Sequence, residues 1–516
     1  MKSKNLLVFL GILALVRIVW LATQGIAPQE AYYWMCGDRL AAAYFDGPPA
    51  TAYLVRFLGF FTGGSLEILR LAWPLLALFA GWLAFLLVRT IFNASIAAWT
   101  ALVLNALPVF NSHSITVGPW MPALVCVLGG LLAAYSAIEG RRKDWLPAAA
   151  CFALACLFRY EAVLVPLGFC IVILTVLRNH QQPDWAALAA LIVLPLAVLW
   201  TPLTWNAKLE WIPLAGGTLQ TWWRPQPGGW SRNLTEFFRE YSFAGGLALI
   251  AGLVTLALGS VKRGGGRFLL VAAAAPAAWA LYHFLIGRNF STAAWFALIP
   301  VLAALIGYFA RSRWMPLAGS AVVALALLQS AIMLREEGEM RGVWSSVAKE
   351  VHKATREIPA SEGGGFLIAE NTDQAAVLAV FFKTAAGSGY PPVFVPESPA
   401  LTSQFGLWPS YADFVASDLV VDEFFTEQKG YNLFAGRNAL YLGSDLPQTI
   451  KGAFAQVSPL RKIQLPDGGS TRSAHAARRP SPPRREKPRD ARARFCRRHR
   501  SRRFLKNPPV APRRSW

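Results

Sequence analysis

Residues 5–23 read NLLVFLGILALVRIVWLAT, and residues 24–34 continue QGIAPQEAYYW. A helix over the first stretch rises about 1.5 Å per residue and nearly crosses a hydrocarbon core of about 30 Å. Lys2 and Lys4 precede it as they would a signal peptide, but Arg17 interrupts the apolar run and no clear A-x-A site follows. It reads as an uncleaved first helix. An acidic and aromatic segment emerges directly behind it.

Working outward, ten further apolar windows follow, at about 68–88, 94–112, 119–138, 147–158, 161–177, 184–204, 243–260, 267–286, 292–310 and 314–333. The sequence therefore predicts about eleven transmembrane helices. The window 147–158 is short for a crossing, so the pair around Arg159 also reads as re-entrant. Of 516 residues, 55% are hydrophobic and 15% charged, a balance that excludes a soluble multidomain protein. The net charge of +21 is uneven: residues 471–516 hold 17 Lys and Arg against Glu486 and Asp490, so this tail supplies +15. The remaining +6 on so long a body excludes a nucleic-acid partner. The six cysteines form neither a CxxC pair nor a zinc-spaced cluster, so no metal site and no disulfide framework is expected.

Arg89, the run Arg141 to Lys143, Arg178, the run Lys262, Arg263 and Arg267, and the pair Arg311 and Arg313 fall on alternate connections. This positive-inside pattern predicts a multi-pass protein of the cell's inner membrane, with a cytoplasmic N-terminus and an external C-terminal portion. Three regions follow: 1–335 is the transmembrane region with a first external loop at 24–66, 336–465 is a small external α/β domain, and 466–516 is a basic tail. The tail, rich in Arg and Pro, reads as disordered, either a basic arm or a frameshift product.

The first external loop carries the chemistry. Glu30 lies beside Tyr32, Tyr33 and Trp34, and Asp46 lies in Tyr44-Phe45-Asp46-Gly47-Pro48-Pro49. A partly desolvated carboxylate at the bilayer surface is a candidate general base. Equally, Glu30 reads as a helix cap and the aromatics as an interfacial belt. Arg17 and Arg159 read either as phosphate ligands or as arginines reaching to the interface, and Arg288 and His283 as weaker candidates in a hydrated loop. Trp222, Trp223 and Trp230 suit a sugar face or the headgroup level. The Gly363 to Gly365 run lacks a Walker-type Lys and reads as a turn, and His113 has no triad partners.

On these motifs the chain resembles the GT-C membrane glycosyltransferases related to protein O-mannosyltransferases and lipid A aminoarabinose transferases. Their first loop reads roughly D-E-A-Y-Y-W and then Y-F-D-H-P-P. Arg17, Leu157 to Tyr160, Trp205-Asn206 with Glu210-Trp211 and Gln220, Asn289 to Ala297, Trp344, Asn371 and Gln404 to Trp408 extend the likeness over about residues 5–465. The resemblance implies an inverting transferase that moves a sugar from a polyprenyl-phosphate donor to a hydroxyl of an envelope lipid, glycan or protein acceptor. No cofactor is implied; the lipid-linked sugar is a co-substrate, and membrane lipids and the acceptor are the partners. Asp46 and Glu30 are then the catalytic carboxylates, with Arg17, Tyr33, Arg159, His283 and Arg288 binding substrate. The chain departs from the pattern at Gln29, where relatives have Asp, at Gly47 in place of His, and at Trp120 in place of a second acid. These losses keep open an alternative, a catalytically inactive relative that binds a glycolipid or scaffolds a complex. A flippase would show internal repeats, and none is evident.

Overall fold

The computed structural model describes residues 3–178, 185–215, 229–258, 264–288, 291–310, 312–358, 365–382, 391–398, 401–413, 415–416, 430–431, 434, 436–464 and 471–480. Helices come first: α1 (Ser3–Thr23), α2 (Pro28–Asp38), α3 (Ala50–Phe61), α4 (Leu66–Leu69), α5 (Ala72–Ile91), α6 (Ala94–Ala106), α7 (Pro108–Ile115), α8 (Trp120–Ile138), α9 (Trp145–Phe158) and α10 (Leu164–Arg178). They continue as α11 (Trp185–Lys208), α12 (Ile212–Ala215), α13 (Gly229–Tyr241), α14 (Phe243–Ala257), α15 (Gly264–Leu285), α16 (Ser291–Phe309) and α17 (Met315–Glu357).

Each of the eleven apolar windows falls on a helix, but not each of these helices is long enough to cross by itself. Among the described residues, six helices are long and apolar enough to cross a membrane, or eight if two bent pairs each count as one span. The shortfall is one of length. The 14 residues of α9 rise only about 21 Å, and Tyr160–Ile171 and Ala294–Phe309 are likewise short apolar helices. The bent pairs have local causes. Between α6 and α7 the axis turns 68° at Pro108, which has no N–H to continue the helix. Between α13 and α14 it turns 104° at Ser242, whose φ of 61° leaves the helical region. Val8, Ile12, Leu15 and Val19 of α1 and Leu317, Leu325, Leu328 and Ile332 of α17 stand exposed, an apolar surface suited to lipid.

α17 runs 43 residues, from an apolar half into a charged one. Its far end buries Trp344, Val347, Val351 and Ala354, spaced to share one helix face, against an α/β unit. That unit comprises β1 (Phe366–Ala369), α18 (Thr372–Phe381), β2 (Val393–Phe394), β3 (Val415–Ala416), β4 (Gly430–Tyr431), β5 (Ala439–Gly443), α19 (Gln448–Ala453), β6 (Phe454–Gln464) and β7 (Thr471–Pro480). The main sheet has the order β2-β1-β5-β7-β6, parallel across its first three strands and antiparallel beyond. β3 and β4 pair separately.

β7 corrects the expected boundary of the tail. Residues 471–480 lie inside the sheet, with Leu440 opposite Ala476 on one side and Val457 opposite Ala477 on the other. Backbone pairing with two neighbours fixes this segment although its composition is basic. The rest of the proposed tail, 466–470 and 481–516, lies outside the described residues. A continuous apolar core runs from Leu10, Trp73, Phe85 and Phe152 in the helices through Val351 to Val377 and Leu440 in the α/β unit.

Candidate active site

A cavity of about 1080 Å³ lies where the helical body meets the α/β unit. Tyr32, Tyr33 and Asp46 of the first loop, His113 and Trp120 of α7 and α8, and Arg159 form part of its wall. Glu240 of α13, Glu337 and Arg341 of α17, and Gln374 and Gln404 of the α/β unit complete it, with Val109, Met333 and Met340 giving it an apolar portion.

Asp46 is exposed at the turn of a two-bond hairpin, in which Tyr44 and Gly47 exchange backbone hydrogen bonds of 2.9 and 3.2 Å. Gly47 has a φ of 153°, a conformation that L side chains rarely adopt. The Tyr44 hydroxyl sits 3.0 Å from the carbonyls of Cys36 and Arg39 and accepts from the Ala41 N–H, anchoring one side. On the other side Phe45 N–H donates to Gln404 Oε1 at 2.8 Å, so the α/β unit grips the residue next to Asp46.

Tyr33 and Arg159 also reach the cavity. Burial pushes the Tyr33 phenol up against the opposing pull of Arg159, leaving a neutral hydroxyl at ordinary pH. Arg159 donates from Nε and Nη2 to the Glu161 carboxylate at 3.1 and 2.8 Å, and its guanidinium lies 4.3 Å over the Trp120 ring. Trp120 in turn stacks on His113, and Trp295 Nε1 donates to its carbonyl at 3.2 Å. Trp120 is therefore a platform for a cation. Gln29 lies at the cavity wall with its amide over Gly118, where a Cβ would come within 2.9 Å of Nε2.

Four of the expected residues are placed elsewhere. Glu30, proposed as a base, is fully buried: its Oε2 accepts from Ala27 N–H at 3.0 Å and from Arg341 Nη1 at 3.0 Å, and lies 3.5 Å from Arg70 Nη1. It caps α2 and holds two guanidinium groups, and it does not line the cavity. Arg17 is buried as well, donating to Asn105 Oδ1 and to Asn111 Oδ1 on α7. Its Nη2 also reaches the Asn105 carbonyl at 3.3 Å, an acceptor near the helix break at Pro108. His283 packs against Trp279, and the Arg288 carbonyl accepts from Asn233 Nδ2 at 2.8 Å; neither residue lines the cavity. Trp222, Trp223 and Asn289 lie outside the described residues. Trp230 is exposed on α13 and does not line the cavity.

Arg70, Arg341, Glu161 and Gln374 escaped sequence reasoning. Glu161 had a signal, since it stands two residues from Arg159; Arg70 and Arg341 pair with Glu30 far along the chain, and no motif marks Gln374. Among the described residues, no three His, Cys, Asp or Glu side chains are grouped to hold a metal ion.

The fold, apolar helices with an α/β unit closing over them and a cavity between the two, is similar to that of membrane glycosyltransferases of the GT-C type. Residues 46–205, from the Asp46 hairpin into α11, match the family model described as dolichyl-phosphate-mannose-protein mannosyltransferase. The structure is similar to that of ArnT from Cupriavidus metallidurans bound to undecaprenyl phosphate, with a TM-score of 0.59 and 15% identity over 92% of this chain and 98% of that one. The apo form of ArnT gives 0.58 at the same identity and coverage. The Archaeoglobus fulgidus oligosaccharyltransferase gives 0.44 at 14% identity, over 72% of this chain and 61% of that one. No curated protein matches the sequence. At such identities the likeness establishes the fold.

Proposed function

We propose that this chain is an inverting glycosyltransferase that transfers a sugar from a polyprenyl-phosphate donor to an acceptor hydroxyl at the external membrane face. The observation that carries the reading is the exposed Asp46 carboxylate on the wall of a cavity that also holds Arg159. Asp46 takes the proton of the acceptor hydroxyl as its oxygen attacks the anomeric carbon. The bond from that carbon to the phosphate oxygen breaks on the opposite face, and the lipid phosphate leaves as an anion. Arg159, held by Trp120, offers planar donors to the developing charge.

In this reading the isoprenoid chain lies along the apolar helices, and the acceptor, an envelope lipid, glycan or protein, enters beneath the α/β unit. The bound undecaprenyl phosphate of the ArnT structure supports the lipid class. The N-terminus is cytoplasmic and the membrane is the inner membrane, as the basic loops suggest. The test is a transfer assay in membranes with an undecaprenyl-phosphate-linked sugar, in which Asp46→Asn loses product.

A second reading is favoured by Gln29 and Trp120: a relative that binds the glycolipid without turning it over. Wild-type protein that binds the lipid-linked sugar yet releases no undecaprenyl phosphate in the same assay would establish that reading instead.

A further inference from the structure

We infer that the first turn of α18, centred on Gln374, is a subsite that reads the hydroxyl groups of a neutral sugar. The inference rests on the glycosyltransferase reading and adds which wall of the cavity recognises the sugar. Gln374 is only 2% exposed, yet it lines the cavity, and neither its Nε2 nor its Oε1 has a hydrogen-bond partner. Buried amides are normally paired at both ends, because stripping them of water without replacement is costly. The helix makes no use of this side chain: the Gln374 backbone N–H is capped by Asn371 Oδ1 at 3.0 Å, and the amide is left over.

The surrounding charge selects the ligand. Asp373 is the preceding residue in the chain, and Glu240 and Glu336 line the same cavity from α13 and α17, where Glu337 is neutralised by Arg341. An anionic group is repelled by these carboxylates, whereas Arg159 offers the phosphate a cation elsewhere on the wall. A sugar hydroxyl is uncharged and both donates and accepts, as the amide does. The wall is also fixed relative to the proposed base, because Gln404 of the same unit holds the Asp46 hairpin through Phe45. Two sources supply such hydroxyls, the transferred sugar and a sugar of the acceptor.

The experiment uses the full chain in lipid nanodiscs, as wild type and as Gln374→Met, which keeps the side chain's length but pairs nothing. Binding is measured for undecaprenyl phosphate and for undecaprenyl phosphate carrying mannose. In the expected result the wild type prefers the mannose-bearing lipid by roughly two- to tenfold, as one or two hydrogen bonds give. Gln374→Met removes that preference and leaves the bare lipid's affinity unchanged. If donor binding is unaltered but the KM for isolated envelope lipids rises by a similar factor, the hydroxyls belong to the acceptor and the subsite stands. Unchanged donor affinity together with unchanged acceptor KM overturns it. Failure of the wild type to bind either lipid is a separate outcome, which sinks the glycosyltransferase reading and the subsite with it.

Discussion

Arg341 Nη1 lies 3.0 Å from Glu30 Oε2 across 311 residues of chain, and both side chains are shielded from solvent. Arg70 approaches the same oxygen while donating to the carbonyls of Leu21, Gln24 and Gly25 at the end of α1. One carboxylate thus joins the exit of the first membrane helix, the helix carrying Tyr32 and Tyr33, and the long α17 that supports the α/β unit. Removing it leaves the buried Arg70 guanidinium without its ion-pair partner and Arg341 with Glu337 alone. Glu30→Ala should cost about 3–5 kcal/mol of stability, and pairing it with Arg341→Met should recover part of the loss. Thermal unfolding of the detergent-solubilised protein reads this; an unchanged midpoint for Glu30→Ala would contradict the assigned role.

Asp46 makes the contrasting case. It is exposed on a hairpin that is held through its neighbours, so Asp46→Asn should leave thermal stability within about 0.5 kcal/mol. Loss of the proposed proton acceptor should lower sugar transfer by about 10²-fold or more. Retained transfer would remove Asp46 as the base.

The sequence reads the helical body well because apolar runs are a local signal: every window expected to be helical is helical. It reads the loop carboxylate Asp46, Tyr33 and Arg159 into one cavity through short motifs. It fails where a partner is remote. Nothing near Glu30 announces Arg70 or Arg341, and an acid beside aromatics reads the same whether it faces a cleft or a buried ion pair. The partners of Arg17 are hidden for the same reason, since Asn105 and Asn111 lie nearly a hundred residues away. β7 is hidden because its pairing is a backbone property, and its Arg content outweighs any alternation.

Arg159 is engaged before any lipid arrives, since Glu161 occupies two of its donors. A lipid phosphate must compete with that carboxylate. Glu161→Gln should therefore tighten undecaprenyl phosphate binding by roughly two- to fivefold, and Arg159→Gln should weaken it by about tenfold. Titration of both variants in nanodiscs measures the two shifts; weakening by Glu161→Gln would mean that the pair orients Arg159 instead of competing with the ligand.

Arg17 answers a structural need at the break between α6 and α7. Arg17→Met strands the Asn105 and Asn111 side-chain oxygens in a buried setting and should cost about 1.5–3 kcal/mol. Undecaprenyl phosphate affinity of the folded variant should stay within about twofold, because Arg17 does not line the cavity. A large loss of affinity without loss of stability would restore it as a phosphate ligand.

Gln404 offers the most selective test of how the α/β unit serves the reaction. Its side chain accepts from Phe45 N–H, one residue before Asp46, and it is itself buried. Gln404→Ala frees the hairpin without touching the carboxylate, so Asp46 samples orientations from which no proton can be taken. The turnover number should fall by about tenfold with a much smaller change in donor affinity, because geometry at the reacting atoms is lost while Arg159, the proposed phosphate ligand, is untouched. If Gln404 acts through Asp46, the same substitution in an Asp46→Asn background should lower the residual rate no further, a non-additivity that a merely structural contact would not produce. A full tenfold effect in both backgrounds would show that Gln404 acts on the substrate or on the fold at large, and the grip of the α/β unit on the hairpin would then have no part in catalysis.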